Sequence, residues 1–484
     1  MTPSGGPGLR GRTLRSVVLL GTQRVASLLV IGAGGIVLAR LLTPEEFGLY
    51  AILAFAIGVG VALSDLGLGA ALVQRRDLDP GATLGTAFTL NLGLAAALAA
   101  AIAALAPLLA RGLAVATDVT APLRCLALLL VLSSLRMPAA VLLERRLAYL
   151  PLTIAETADT VVFYLVAVTA AAAGAGVWSF VWGAVLARAV HVGILWAATR
   201  PLPPRPGWRR RELVPVLAFG VPYQGSALVG IVRDAALPTV VAAWSGVAAV
   251  GLLNWAAALA FQPLQIVAIA GKVLFPALSR LQGDAQRFAE AAGRALNRVA
   301  TVLYPAALLG LAGADPIVRL VYGDAWVAAI PAVRLFCVTA LLGGTSTILV
   351  HGLYGLGRAH LAFRLNLVWA ALVWALTLLL VPRLGFVGFA VASVCVGVTG
   401  VLPAVLLRRL VPIRVLADVR VPLAAALAGA LVLATLSAVW IHDIPSLLVG
   451  GGAALAVYVG LAVVWGGAAW RVEVVADWRT VFQG

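Results

Sequence analysis

The stretch "LYAILAFAIGVGVALSDLGLGAALVQRRDLDP", Leu49 to Pro80, runs apolar from Leu49 to Val73 with one charge inside it, Asp65, and then brings Arg75, Arg76, Asp77 and Asp79 together. Crossing a hydrocarbon core takes roughly 20 residues of helix, and this run is long enough. A strand of a membrane barrel would instead show about ten residues of alternating apolar and polar character. The segment therefore reads as a membrane helix that ends at an interface, and the fold follows from how often the pattern recurs.

It recurs along the whole chain. The 484 residues are 62% hydrophobic and 11% charged, with a mean hydropathy of +1.05, so the chain is an all-α polytopic membrane protein. Crossings are expected near Val17–Ala39, Leu49–Val73, Gly85–Ala110, Leu123–Leu143, Leu152–Ala173, Val177–Ala198, Leu217–Trp244 and Val247–Gly271. Others are expected near Val299–Ala314, Ala328–Val350, Leu361–Leu380, Val387–Leu407, Leu423–Val439 and Leu447–Trp465, about fourteen transmembrane helices at bilayer length. The first is read as a retained span, because it runs too long for a signal peptide and lacks a cleavage site.

A net charge of +16 would point to nucleic acid in a soluble protein, so the placement of the arginines decides its meaning. They fall in alternate loops. Arg10, Arg12, Arg15, Arg75, Arg76, Arg145, Arg146, Arg209, Arg210, Arg211, Arg280, Arg408, Arg409 and Arg471 share one face, whereas the other face has Arg40, Arg111, Arg319 and Arg383, with Arg124 just inside a helix. Over short loops this bias puts the basic face and both termini in the cytoplasm, with the arginines against anionic lipid head groups. Nucleic acid is excluded as a partner, and the expected location is a bacterial cytoplasmic membrane.

The largest break, "RPLPPRPGWRRREL" from Arg200 to Leu213, is a Pro-rich basic linker. It sets the expected domains: 1–199 with six helices, the linker 200–212, a second lobe 213–410, and 411–484 with two helices and a tail. "ARLLTPEEFGLYAILA" from Ala39 can be laid over "AAWSGVAAVGLLNWAA" from Ala242, with Gly48 on Gly251, as parallel repeats would allow.

Apparent enzyme motifs have plainer readings. "GPGLRG", Gly6 to Gly11, fits a dinucleotide fingerprint but has no strand before it. "DLD", Asp77 to Asp79, resembles the paired acids of some glycosyltransferases, yet turn chemistry before Pro80 explains it better. His191, His351, His360 and His442 are dispersed, and Cys125, Cys337 and Cys395 lie in apolar runs, so no metal or cofactor site is expected.

What packing alone does not call for is the set of charges inside helices, which are costly in lipid and usually face a bundle interior or a water-filled cavity. Arg24 lies nine residues beyond Arg15, and Asp65 ten before Arg75. At about 1.5 Å per residue both sit roughly 14 Å from the basic face, where they could pair. Arg136 and Asp159 fall at about 12–14 Å by the same arithmetic, with Glu156 a turn shallower and Arg188 and His191 close to that layer. Further on, Arg233 and Asp234 are neighbours on the seventh helix and should point about 100° apart. Pro222, Pro238 and Pro263 are expected to interrupt helices there.

Two readings stand side by side: a buried ion-pair network that fixes helix register, and a hydrated cavity. In the second, Arg24, Arg136, Arg188 and Arg233 would meet an anionic head group. Asp65, Glu156, Asp159, Asp234 and His191 would be ion-pair or coupling groups for H+ or Na+.

Four segments together resemble a known family: "ARLLTPEEFGLYAI" (Ala39 to Ile52), "SDLGLGAALVQRRDL" (Ser64 to Leu78), "ERRLAY" (Glu144 to Tyr149) and "KVLFPALSRLQ" (Lys272 to Gln282). They look like the oligosaccharide flippases of the O-antigen and colanic-acid type, in the multidrug/oligosaccharidyl-lipid/polysaccharide exporter superfamily. Phe219–Gly220, Tyr304–Pro305 and "GDAW" from Gly323 to Trp326 match as well. The resemblance implies two six-helix lobes around a central cavity, two further helices, and alternating access. Its cargo would be a polyprenyl-pyrophosphate oligosaccharide moved from the inner to the outer leaflet, with Arg24 at the pyrophosphate and a polymerase and glycosyltransferases as pathway partners. Where relatives often carry an Asp after the arginine of the seventh helix, this chain has Ala235 and Ala236.

Two other classes stay open. A polymerase or membrane glycosyltransferase of the same pathway should carry a sizeable outer loop, and none is seen. A cation-coupled drug exporter should hold acids in excess of arginines.

Overall fold

The structure, a computed structural model, describes residues 27–75, 82–113, 119–199 and 207–483. Arg24, "GPGLRG", Asp77–Asp79 and the start of the linker, 200–206, lie outside the described residues. Among the described residues every regular element is helical. In chain order these are α1 (Ser27–Leu41), α2 (Pro44–Asp65), α3 (Leu68–Gln74), α4 (Thr83–Leu113), α5 (Thr120–Arg145), α6 (Tyr149–Ala172), α7 (Trp178–Ala198), α8 (Arg210–Asp234), α9 (Ala242–Ser245) and α10 (Val247–Ala260). They continue with α11 (Leu264–Ser279), α12 (Ala285–Ala312), α13 (Ala314–Pro316), α14 (Ile330–Gly355), α15 (Ala359–Leu384), α16 (Val387–Val398), α17 (Val401–Arg408), α18 (Val415–Val439) and α19 (Ile444–Gln483). Twelve helical stretches are long and apolar enough to cross a membrane, and α1 and α10 are shorter apolar helices.

Helix starts follow local chemistry. Thr43 caps α2 in a reciprocal box: its hydroxyl accepts from the Glu46 N–H at 3.3 Å, its own N–H donates to Glu46 Oε2 at 2.7 Å, and Pro44 takes the first helical position. Laying Ala39 on Ala242 puts Thr43 on Gly246, and Gly246 is the residue that caps α10. The two segments thus share a helix start as well as a sequence pattern. Asp284 caps α12, its carboxylate accepting from the amides of Gln286 and Arg287 at 3.1 and 3.0 Å.

The chain forms two compact units, Met1–Pro238 and Thr239–Gly484, so α8 packs within the first. There α6 lies along α7, α4 along α5, and α5 meets α7 and α2. Close approach is set by small residues: a Cβ added to Gly34 would sit 2.2 Å from the Tyr164 ring, and one at Gly183 would sit 3.0 Å from the Phe163 carbonyl. Phe180 stacks on Tyr50 at 4.6 Å beside Leu38, Leu42 and Ala171.

In the second unit α12 packs on α18 and α14, and α18 on α19, around Phe288, Leu296, Leu303, Leu353 and Leu407. Gly429 lets α18 approach α19, since a Cβ there would lie 2.7 Å from the Ala454 carbonyl. Trp326 of the "GDAW" turn is fully buried and stacks on Trp255 at 4.5 Å, and Gly323 turns the chain there with φ of 98°. Outward-facing leucine and valine remain bare in both units, as at Leu29, 69% exposed, and Val439, 77% exposed. Surfaces of this kind are stable against acyl chains rather than water.

Four crossings that read as single helices are divided among the described residues. The second breaks at Leu66–Gly67, the seventh at Ala235, the eighth at Phe261–Pro263, and the twelfth at Thr399–Gly400. Pro263 has no N–H to give the preceding turn, which accounts for the eighth. Pro222, expected to interrupt its helix, does not: α8 runs through Pro215 and Pro222 to Asp234, as membrane helices allow when the freed groups find other partners. Pro238 falls in a π-helical stretch, Leu237–Val241.

At the start of α19 the Asp443 and Ser446 side chains cap each other's backbone, with Ser446 N–H donating to Asp443 Oδ1 at 2.9 Å and Asp443 N–H to Ser446 Oγ at 3.2 Å. The hydroxyl and amide of Ser446 hold the Asp443 carboxyl below the usual carboxylate range. A depressed pKa contributes stability above the unfolded value and loses it as pH falls through the folded value. Ser446→Ala is therefore expected to raise the Asp443 pKa and flatten the acid limb of thermal stability. Carboxyl NMR titration of labelled aspartate checks this, and an unmoved Asp443 would contradict it.

Candidate functional site

The site is built on a broken helix. Leu66 and Gly67 both adopt left-handed backbone, with φ of 49° and 71°, so α2 stops at Asp65 and α3 restarts at Leu68. A break inside a membrane helix strands backbone groups that lipid cannot satisfy. Several are met by side chains. The Asp65 carboxylate faces the amides of Gly67 and Gly69 at the start of α3. On the α2 side, Asn91 Nδ2 of α4 donates to the Ser64 carbonyl and Gln224 Nε2 of α8 to the Ala62 carbonyl, both at 2.9 Å. Both amide side chains are buried, Asn91 at 2% and Gln224 at 8% exposure.

The crossing of α8 over the break is glycine on glycine. A Cβ on Gly67 would lie 2.2 Å from the Gly220 carbonyl oxygen, and one on Gly220 would lie 2.6 Å from that of Leu66. Beyond the break α3 is clamped separately. Arg145 of "ERRLAY" donates to the carbonyls of Leu72, Val73 and Arg75, the last residues of α3 and its cap. Glu212 at the start of α8 pairs with Arg75 at 3.3 Å and accepts from the Thr83 hydroxyl at 2.6 Å. Apolar packing of Leu68, Leu72, Leu84, Phe88, Met137 and Val216 completes the clamp.

Gln224→Leu removes the donor to the half-buried Ala62 carbonyl, a change expected to cost about 1 kcal/mol. Thermal unfolding of the purified protein reads it, and an unchanged midpoint would contradict the assignment.

Between α5, α6 and α7 lies a cluster of charge. Arg136 on α5, Asp159 on α6, and Arg188 and His191, three residues apart on one face of α7, come together. Arg136 Nε donates to His191 Nε2 at 3.2 Å. Asp159 Oδ1 stands 3.7 Å from His191 Nδ1 and 3.8 Å from Arg188 Nε. Those two distances are beyond hydrogen-bond length, and Asp159 Oδ1 and His191 Nδ1 are both buried with no hydrogen-bond partner.

The geometry fixes the histidine's state. A guanidinium only donates, so Nε2 accepts through its lone pair and the ring proton sits on Nδ1, facing Asp159. His191 is neutral in this arrangement, and a second proton at Nε2 would eject Arg136. The touching groups then sum to two guanidinium charges against one carboxylate. Asp65 lies within electrostatic reach of Arg136, but its negative charge already faces two amides.

The expected site residues divide accordingly. Arg136, Asp159, Arg188 and His191 are gathered, with Asp65 beside them. The partner expected for Asp65, Arg24, lies outside the described residues. Glu156, a turn away on α6, is exposed and outside the cluster. Arg233 and Asp234 are also outside it and, contrary to the expectation that they point apart, are joined: Arg233 Nε donates to Asp234 Oδ1 at 2.9 Å. The arginine stem is long enough to curl back toward its neighbour at the end of α8, so a 100° angular offset does not separate them. Sequence reasoning missed Asn91, Gln224, Arg145 and Glu212, although Asn91 and Gln224 stand out as lone amides in apolar runs.

A family model described as polysaccharide biosynthesis protein matches residues 37–331. The chain is 25% identical over 365 residues to the lipopolysaccharide biosynthesis protein WzxC of Escherichia coli, covering 73% of each chain. To the succinoglycan biosynthesis transport protein ExoT of Rhizobium meliloti it is 28% identical, covering 70% of this chain and 67% of that one. Among solved structures it superposes on the lipid II flippase MurJ in an inward closed conformation with a TM-score of 0.79 at 13% identity, covering 93% of this chain and 98% of that one. An inward-facing multidrug resistance MATE family transporter of the MOP superfamily gives a TM-score of 0.62 at 15% identity, with 79% and 95% covered. With a family match over more than half its length and this fold, the chain is a multi-pass membrane protein that belongs to the polysaccharide biosynthesis protein family.

Proposed function

We propose that this protein is a flippase that carries polyprenyl-pyrophosphate-linked oligosaccharide repeat units from the inner to the outer leaflet of a bacterial cytoplasmic membrane by alternating access. The observation that carries the reading is the excess of guanidinium in the Arg136–Asp159–Arg188–His191 cluster. A diphosphate cannot cross hydrocarbon unaided, and paired arginines held by packed helices are suited to receive it. The relatives' names, a lipopolysaccharide biosynthesis protein and a succinoglycan transport protein, agree with that cargo. On this reading α1 and the α10–α11 pair complete fourteen crossings, and both termini are cytoplasmic.

Asp159 and His191 are the coupling groups, with H+ as the ion. Proton uptake at His191 Nε2 would break its bond to Arg136 and release that guanidinium toward the cargo or from it. The pathway's polymerase and glycosyltransferases would act on either side of the transport step.

The same fold occurs in a multidrug resistance transporter family, but a cavity for cationic drugs would want carboxylates in excess, the reverse of this cluster. The test is to delete the gene and modify outward-facing sugars with an impermeant reagent on intact spheroplasts. Complete repeat units should accumulate inside and be released by wild type but not by Arg136→Ala. Units reaching the outer leaflet unpolymerised would point to an enzyme of the pathway, and unchanged pools would overturn the reading.

A further inference from the structure

We infer that the second unit holds a separate binding site for an anionic phospholipid of the surrounding bilayer, in the cavity between α11 and α12. The cavity has a volume of about 370 Å³, and its walls are Ala270, Leu274 and Leu278 from α11 with Ala295 and Val299 from α12. Arg294 and Arg298 line it from the same helix. A cavity of this size lies within the range that holds a small ligand.

What the occupant must be follows from the two kinds of surface. An apolar trough with no polar group except two guanidinium ends suits an amphiphile: a hydrocarbon chain against the alanine and leucine walls, and a phosphate at the arginines. Arg294 and Arg298 are four residues apart, so they stand one turn above the other and can address the same phosphate from two heights. Arg294 also stands 4.0 Å from Glu290 on an exposed face, a weak contact that a phosphate can displace.

Position along the helix agrees. The amino-terminal half of α12 carries Arg287, Arg294 and Arg298, and the half beyond Val299 is apolar, so the two arginines lie where a crossing helix meets head groups. A bilayer phospholipid fits better than the transported glycolipid, since the cavity is lined wholly by the second unit and shares no residue with the charged cluster of the first. The inference is independent of the transport reading.

Native mass spectrometry of the full chain tests it, with phosphatidylglycerol and phosphatidylcholine as probes. Wild type should retain one phosphatidylglycerol preferentially, and Arg294→Gln with Arg298→Gln should weaken that retention roughly tenfold or more. Ala295→Phe keeps both charges but fills the trough and should lose the lipid as well. It also decides the matter if the double variant fails to fold. Equal retention of the two lipids by wild type, or wild-type retention of phosphatidylglycerol by both variants, would overturn the site. So would displacement of bound phosphatidylglycerol from it by equimolar polyprenyl phosphate.

Discussion

Gly67→Ala is expected to destabilise the first unit by about 2–5 kcal/mol. Two costs add. The backbone at Gly67 is left-handed, with φ of 71°, which a side chain tolerates at about 1–2 kcal/mol. The new methyl would also lie 2.2 Å from the Gly220 carbonyl oxygen and 2.8 Å from its Cα. Those are backbone atoms of another helix and cannot rotate aside, so overpacking adds about 1–3 kcal/mol. Gly69→Ala is the control, because its Cβ meets nothing nearer than Asp65 Oδ1 at 3.8 Å, and alanine there favours helix. Thermal unfolding of the two purified variants separates them. A Gly67→Ala midpoint equal to that of Gly69→Ala would mean that α2 and α3 are not held apart by α8.

Arg136→Ala is expected to lower the transport rate roughly tenfold to a hundredfold, the worth of one charge-assisted contact of about 1.5–3 kcal/mol. It removes the donor to His191 Nε2 and one of the two guanidinium groups at the cluster. Folding should change little, since α5 keeps its packing through Leu126, Leu130, Met137 and Val141. Arg136→Lys restores charge without the planar fork and should recover part of the rate. Glu156→Gln, outside the cluster, should transport normally. If Glu156→Gln fails as badly as Arg136→Ala, the cargo path runs along a different face of α6.

Of about fourteen expected crossings, twelve stand as helices of membrane length among the described residues, legible because each membrane helix must satisfy its own backbone, which forces a long apolar run. Counting residues inward from the basic loops put Arg136, Asp159, Arg188 and His191 in one layer, and the four side chains do lie together. The break at Leu66–Gly67 was not legible, because glycine is common in membrane helices and the run spanning it stays long enough to cross as one helix. It depends on Asn91 and Gln224, residues far away in the chain that supply the missing hydrogen bonds. The role of Asp65 was hidden for the same reason. Its expected partner, Arg24, lies outside the described residues, and the carboxylate also faces the amides of Gly67 and Gly69, a local contact that its charge does not announce. Arg145 read as an interface arginine, whereas it binds the end of α3.

The most direct test of an anion-handling cluster is flipping in reconstituted vesicles, with a polyprenyl-pyrophosphate glycolipid and a neutral glycolipid of the same chain and sugar as competing cargoes. Wild type is expected to move the pyrophosphate lipid and leave the neutral one. Arg136→Ala with Arg188→Ala should abolish that preference while the protein stays folded. Equal flipping of both lipids by wild type, or an undiminished preference in the double variant, would contradict the assignment.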